Sequence, residues 1–200
     1  LAGPKGKGLN TSLPRQKHFW RRLHQDAVRQ TPAGRRRREA RRAAARLSRL
    51  GLFRRARVVG LYASRPHELD TRPLIALCRR MGKAIVLPVV DPDRKVLRFA
   101  LWAPRGRRKK NVYGILEPEA KGRRWFPARR VDIVVAPGAA FTKDGKRLGS
   151  GGGYYDRFLA RHRRPAVGLA HAAQMTVSLP SDRRDRRVSV VVTADKVYQK

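Results

Sequence analysis

From residue 58 onward, six short runs of mostly apolar residues recur, at 58–63, 84–90, 97–102, 131–136, 166–171 and 188–193. Each is too short for an ordinary helix, and several lack alternating polar positions, the pattern of strands covered on both faces. Between the first two runs, Leu74, Ile75, Leu77, Cys78 and Met81 fall at helical spacing and predict a strand-helix-strand unit with its helix over 71–81. Such alternation argues for an α/β fold, a layered sheet flanked by helices. The 200 residues suffice for one domain, because domains commonly run to about 100–200 residues. A chain of this size buries roughly 70% of its unfolded surface and needs no disulfide or structural metal. The single Cys78 agrees: it excludes an internal disulfide and a cysteine-based zinc cluster, and fits a reducing compartment.

Residues 1–15 contain three glycines and two prolines without periodicity, and read as a flexible leader to a single domain over 16–200. Phe19, Trp20, Leu23, Ala27 and Val28 predict an amphipathic helix over 16–30. Thr31 before Pro32 reads as the N-cap of a second helix that buries Ala40, Ala43, Ala44, Leu47 and Leu50 and stops at Gly51. The basic stretches 105–110 and 121–130 read as surface loops. No apolar run reaches the 18 residues of a membrane span, so no membrane partner is expected. The opening lacks the hydrophobic run of a secretory signal, which makes the cytoplasm the expected location, although a basic, acid-poor start also suits the remnant of an organellar transit peptide.

Lysine and arginine total 49 against 14 acids, a net charge of +35. That field draws polyanions at long range, so nonspecific nucleic-acid binding at low salt is expected. The excess is spread along the chain, which equally suits the arginine-rich surface of a soluble enzyme.

The segment 132–162, DIVVAPGAAFTKDGKRLGSGGGYYDRFLARH, carries the chemistry. It reads as a buried strand, a Pro-Gly turn, a basic glycine loop and a helix beginning near Tyr154. Gly149, Gly151, Gly152 and Gly153 let backbone N–H groups approach an anion, and the helix start adds partial positive charge. Arg147 at the lip supplies a forked donor for phosphate. The loop is neither a P-loop, which closes with Gly-Lys-Ser/Thr, nor a dinucleotide fingerprint. Asp156 falls in the first turn of the helix, where a carboxylate caps backbone donors or helps hold a magnesium ion on a phosphate.

These residues resemble the 5-formyltetrahydrofolate cyclo-ligase family, also called methenyltetrahydrofolate synthetases. The resemblance rests on PGAAF at 137–141 and RLGSGGGYYDRFL at 147–159. It is extended by Lys17 and Arg21, HELDT at 67–71, LPVV at 87–90, YGILEP at 113–118, GLAHAAQ at 168–174 and LPSDRRD at 179–185. It implies a cyclo-ligase-like α/β fold. It also implies ATP- and Mg²⁺-dependent conversion of 5-formyltetrahydrofolate, with or without a polyglutamate tail, to 5,10-methenyltetrahydrofolate. In the family's accepted logic the formyl oxygen is phosphorylated, N10 closes the ring, and ADP and phosphate leave.

The resemblance further implies roles residue by residue. Lys17 and Arg21 match the N-terminal phosphate-binding pair, and Lys17 and Arg147 become the catalytic cations. Arg147, Leu148, Gly149, Ser150, Gly151, Gly152, Gly153, Tyr154 and Tyr155 form the ATP loop, with Ser150 and Tyr154 also beside the folate. Glu68 and Tyr113 contact the folate, and Asp156 and Asp185 hold the metal. A monomer is expected. Thr142 and Ser189 stand where family members commonly carry Asp, so metal affinity or loop orientation is expected to differ. The rival expectation is a cyclo-ligase-like domain that has lost turnover and binds RNA or another polyanion through its arginines.

Overall fold

The computed structural model describes residues 12–103, 108–110, 116–118 and 125–199. Three helices come first: α1 (Leu13–Gln30), α2 (Ala33–Arg49) and α3 (Gly51–Arg55). Next come β1 (Val58–Gly60), α4 (Arg72–Arg80), β2 (Ala84–Asp91), β3 (Val96–Leu101), β4 (Arg108–Lys110) and β5 (Leu116–Pro118). The remainder is β6 (Ile133–Ala136), β7 (Ala140–Thr142), β8 (Arg147–Leu148), α5 (Tyr154–Leu159), β9 (Ala166–Leu169), β10 (Met175–Thr176), β11 (Val190–Val192) and β12 (Val197–Gln199).

All six apolar runs become strands of one sheet. Among the described residues its order is β12-β11-β9-β6-β1-β2-β3. The five inner strands run parallel, and β12 and β3 close the edges antiparallel. Period-two alternation sends Ile133 and Val135 to one face and Val134 and Ala136 to the other, which explains why β6 reads as an unbroken apolar run. The first face packs on Ala40, Ala43, Ala44 and Leu47 of α2, Phe53 of α3, and Leu74 and Cys78 of α4. The second face lies under Tyr155, Phe158 and Leu159 of α5 and under Phe141 of a small sheet, β10-β7-β8.

Helix α1 starts at Leu13, earlier than its apolar spacing predicts. Pro14 occupies its first turn, where a fixed φ and a missing N–H are tolerated. The Thr31 hydroxyl donates to Ala27 O at 2.9 Å, so it closes α1 instead of capping α2. Gly51 opens α3 and does not end the helical region. The stretch expected as a loop at 105–110 contains β4, which pairs antiparallel with β5. Its basic composition hides this, because Arg108, Lys109 and Lys110 show no apolar alternation.

The chain leaves β1 toward β2 on one side of the sheet and returns to β6 on the other. The carboxyl ends of adjacent β1 and β6 therefore diverge, the place where open α/β sheets bind ligands. Here the packing is tight. A Cβ on Gly168 of β9 would lie 2.5 Å from the Phe141 ring, so Gly168→Ala is expected to cost about 1–3 kcal/mol through overpacking. Denaturant unfolding of the purified variant measures this, and an unchanged midpoint would show that the ring has room to move.

Candidate functional site

The glycine loop hangs between β8 and α5 above the divergence of β1 and β6. Gly151 (φ +111°) and Gly153 (φ +65°) adopt left-handed backbone that a side chain would strain. Gly153 is the N-cap of α5, and Ser150, Gly151 and Gly152 form an exposed tip. The loop is the common wall of two clefts, both lined by Gly149, Gly152, Gly153 and Asp156.

The inner cleft, of about 150 Å³, sits at the divergence itself. Tyr62, Ala63, Arg65 and Glu68 enter it after β1, Pro137 after β6, Pro88 and Val90 from β2, Leu97 from β3, and Tyr154 and Tyr155 from α5. Glu68 is 7% exposed, and its Oε2 accepts the Arg65 N–H at 2.9 Å. Burial pushes the Glu68 carboxyl up, and the bond from Arg65 opposes this only partly.

The outer cleft, of about 750 Å³, lies between the loop, α1 and the turn at 182–186. Lys17 and Arg21, one helical turn apart, both reach into it but are already engaged. Lys17 Nζ donates to Asp185 Oδ2 at 2.7 Å and Asp182 Oδ2 at 3.1 Å, and Arg21 Nε donates to Gly149 O at 2.7 Å. Burial pulls Lys17 down, but the bonds and charges of Asp185 and Asp182 outweigh it and leave the ammonium above its ordinary value. Burial lowers Arg21. The Arg184 N–H, followed by Lys17, holds the Asp182 carboxyl down at about 2.

Arg147 does not lie at the lip. Its side chain is 2% exposed. Nη1 donates to Pro137 O at 2.9 Å and Nη2 to Asp156 Oδ1 at 2.6 Å, while Nε is buried with no hydrogen-bond partner among the described residues. The guanidinium also lies 5.7 Å from the centroid of the Tyr155 ring. Its fork is spent on the protein, so it braces the loop from below. Asp156 does not cap its own helix; it takes Arg147 and the Arg186 N–H, the latter at 3.2 Å. Leu148 is buried, packed with Ala140 and Leu179 against Trp20, so it anchors the loop through apolar contact.

Asp156 and Asp185, from distant parts of the chain, line the same outer cleft. Among the described residues no group of three or more His, Cys, Asp or Glu could cage a metal ion. Magnesium at nucleotides needs only one or two carboxylates, with phosphates and water completing the octahedron. This donor set fits an ion arriving with phosphates and does not fit a protein-only site. Thr142, where Asp was expected, is buried; its hydroxyl donates to Asp144 Oδ1 and accepts the Lys146 N–H. Asp144 in turn pairs with Arg187, so a carboxylate two residues later ties this hairpin to the 182–188 segment. Ser189 is exposed, and its N–H donates to Ala166 O at 2.8 Å. Tyr113 lies outside the described residues.

Sequence reasoning missed that Lys17 pairs with Asp182, and it assigned His171 no chemistry. His171 is buried with its Nδ1 2.6 Å from Glu39 Oε2, and Gln174, fully buried, donates to Gly138 O at 2.7 Å. Burial lowers His171 despite the Glu39 partner. The Asp-x-x-Asp spacing at 182–185 was the available signal for the first. Nothing local could have paired His171 with a residue 132 positions away.

The family model described as the 5-formyltetrahydrofolate cyclo-ligase family matches residues 15–194. The chain belongs to that family. It is thereby an enzyme of the ligase class. The Escherichia coli 5-formyltetrahydrofolate cyclo-ligase is 37% identical over 148 residues, covering 72% of this chain and 81% of the relative. The fold matches the Aquifex aeolicus 5,10-methenyltetrahydrofolate synthetase with a TM-score of 0.78 at 30% identity, over 92% of each chain. A Mycoplasma pneumoniae 5,10-methenyltetrahydrofolate synthetase shares the fold at TM-score 0.71 and 18% identity, over 90% of this chain and 99% of its own. Among the described residues, no helix of this cyclo-ligase-family chain is long and apolar enough to cross a membrane.

Two outcomes are expected of this brace and of the neighbouring turn. Asp156→Ala leaves the buried guanidinium without its carboxylate and should cost about 3–5 kcal/mol in denaturant unfolding, part of which Arg147→Met in the same chain restores. Because the folded Asp182 carboxyl lies below its ordinary value of 3.8, its contribution is complete above that value and is lost as pH falls through about 2. Urea midpoints measured from pH 5 to pH 2 should therefore lose part of their acid slope in Asp182→Asn.

Proposed function

We propose that the chain converts 5-formyltetrahydrofolate to 5,10-methenyltetrahydrofolate at the expense of ATP, with Mg²⁺, releasing ADP and phosphate. The observation that carries this reading is the glycine loop as a wall shared by two chemically different clefts. The inner cleft offers apolar walls, two tyrosines from α5 and one buried carboxylate, Glu68, which suits a flat heterocycle with N–H donors. The outer cleft offers Lys17, Arg21 and the open backbone of the loop, which suits a triphosphate.

In this arrangement the formyl group of the folate meets the γ-phosphate across the loop tip. Phosphorylation turns the formyl oxygen into a leaving group, N10 attacks the activated carbon, and phosphate departs as the ring closes. Such transfer asks the protein mainly for positioning and charge neutralisation. Glu68, anchored by the Arg65 N–H, accepts hydrogen bonds from the pterin edge. Tyr154 and Ser150 flank the folate at the tip, and Tyr155 backs the cleft against the Arg147 guanidinium. Loop N–H groups from Gly149 to Gly153 face the phosphates. Lys17 exchanges part of its contact with Asp182 and Asp185 for a phosphate oxygen, and Arg21 holds the loop through Gly149 O. Asp156 and Asp185 would hold magnesium on the phosphates, where the ion neutralises the charge of the transferring group. Arg147 acts as a positioning residue by fixing Asp156.

The test is spectroscopic detection of methenyltetrahydrofolate, omitting ATP and Mg²⁺ in turn. Product should require both, and product formed without ATP would overturn the reading. Lys17→Met should lower kcat about 10²–10³-fold, the loss typical of one stabilising donor, with little change in KM for folate. Glu68→Gln should instead raise KM for folate with a smaller effect on kcat.

A further inference from the structure

A third cleft, of about 930 Å³, lies on the far side of α5 and, among the described residues, is lined by seven arginines and one lysine with no acidic residue. The turn between β2 and β3 contributes Arg94 and Lys95, β3 contributes Arg98, and the segment after α5 contributes Arg161, Arg163 and Arg164. Among the described residues none of these six forms an ion pair with a carboxylate. Asp132 feels the Arg164 charge, but its Oδ2 is held by the N–H groups of Arg57 and Val58. Several arginines of α2 differ in having partners, Arg35 in Glu39, Arg42 in Asp195 and Arg46 in Ala194 O.

Crowded like charges repel one another unless an anion lies among them. On the function proposed above, ATP and folate take the other two clefts. We propose that this cleft binds the phosphodiester backbone of single-stranded nucleic acid, as a function additional to turnover. Arginine forks match phosphate oxygens two at a time, and seven of the eight cations are arginine. His162, which lines the cleft, has a buried Nε2 without a hydrogen-bond partner among the described residues. At the rim Arg98 lies 5.2 Å from the centroid of Trp125, which is 39% exposed. A cationic groove beside an exposed aromatic face is how sequence-tolerant single-strand binding is built.

The test is fluorescence anisotropy with a labelled uridine oligonucleotide of about 20 nucleotides in about 150 mM KCl, where phosphate neutralisation still drives binding. The triple variant Arg161→Glu, Arg163→Glu, Arg164→Glu should bind at least about tenfold more weakly than the unsubstituted chain. Its slope of log K against log salt should fall by about 2, at roughly 0.7 for each phosphate that is no longer neutralised. Arg38→Glu, Arg41→Glu, Arg49→Glu on α2 makes the same charge change at exposed residues and should weaken binding no more than about threefold, the effect of a distant screened charge. Both should keep cyclo-ligase turnover. Should circular dichroism show the cleft variant unfolded, the neutral Arg→Gln triple carries the same comparison. Equal weakening by both triples would assign binding to net charge and overturn the site. Absence of binding at that salt, equal affinity for a duplex of the same length, or equally effective competition by poly-L-glutamate would each overturn it too.

Discussion

A guanidinium removed from water has to be paired, and where its partners sit decides what can be built above it. In this chain Arg147 is that group. One arm holds Pro137 O at the end of β6 and another holds Asp156 in the first turn of α5. The strand that ends at the divergence of β1 and β6 and the helix that begins after the glycine loop are thereby fixed to a single rigid plane. The loop spans the gap between them, and its glycines can take left-handed backbone without losing their anchor points. Without the brace the glycines would still be held by Leu148 and by Arg21 on Gly149 O, but no longer tied to the end of β6.

The sheet supplies the other half of the constraint. Five parallel strands buried on both faces leave backbone ends in only two places, and the divergence of β1 and β6 opens one of them. Residues widely spaced in the chain, Glu68, Pro88, Pro137 and Tyr155, meet at the inner cleft because the loops after β1 and β6, strand β2 and the start of α5 converge there. Helix α1 then closes the outer side, with its Lys17 docked on the 182–185 turn and His24 Nδ1 donating to Ala173 O at 2.8 Å. The position of Lys17 in the outer cleft is thus set by tertiary contacts spanning nearly the whole chain.

The parallel strands were legible because double-sided burial leaves an uninterrupted apolar run. The glycine loop and Asp156 were legible because a left-handed turn before a helix restricts residue choice. Other features were hidden for identifiable reasons. Thr31 has the chemistry of an N-cap, and only the structure shows its hydroxyl spent on the preceding helix. The β4–β5 ribbon is charged and carries no apolar alternation. Arg147 beside four glycines reads as a surface residue, and its burial follows from acceptors that meet only after folding. The match of Lys17 to two carboxylates 165 and 168 positions away has no local trace.

The wall common to the inner and outer clefts has a thermodynamic consequence. A ligand that settles the loop against one side alters the surface offered to the other, so the two occupancies are linked. Linkage is reciprocal for binding: whatever factor the first occupant adds to the affinity for the second, the second adds to the first. A loop of four glycines as the coupling element would add conformational entropy to that factor. The first ligand to arrive bears the cost of ordering the tip, and the second finds it already ordered.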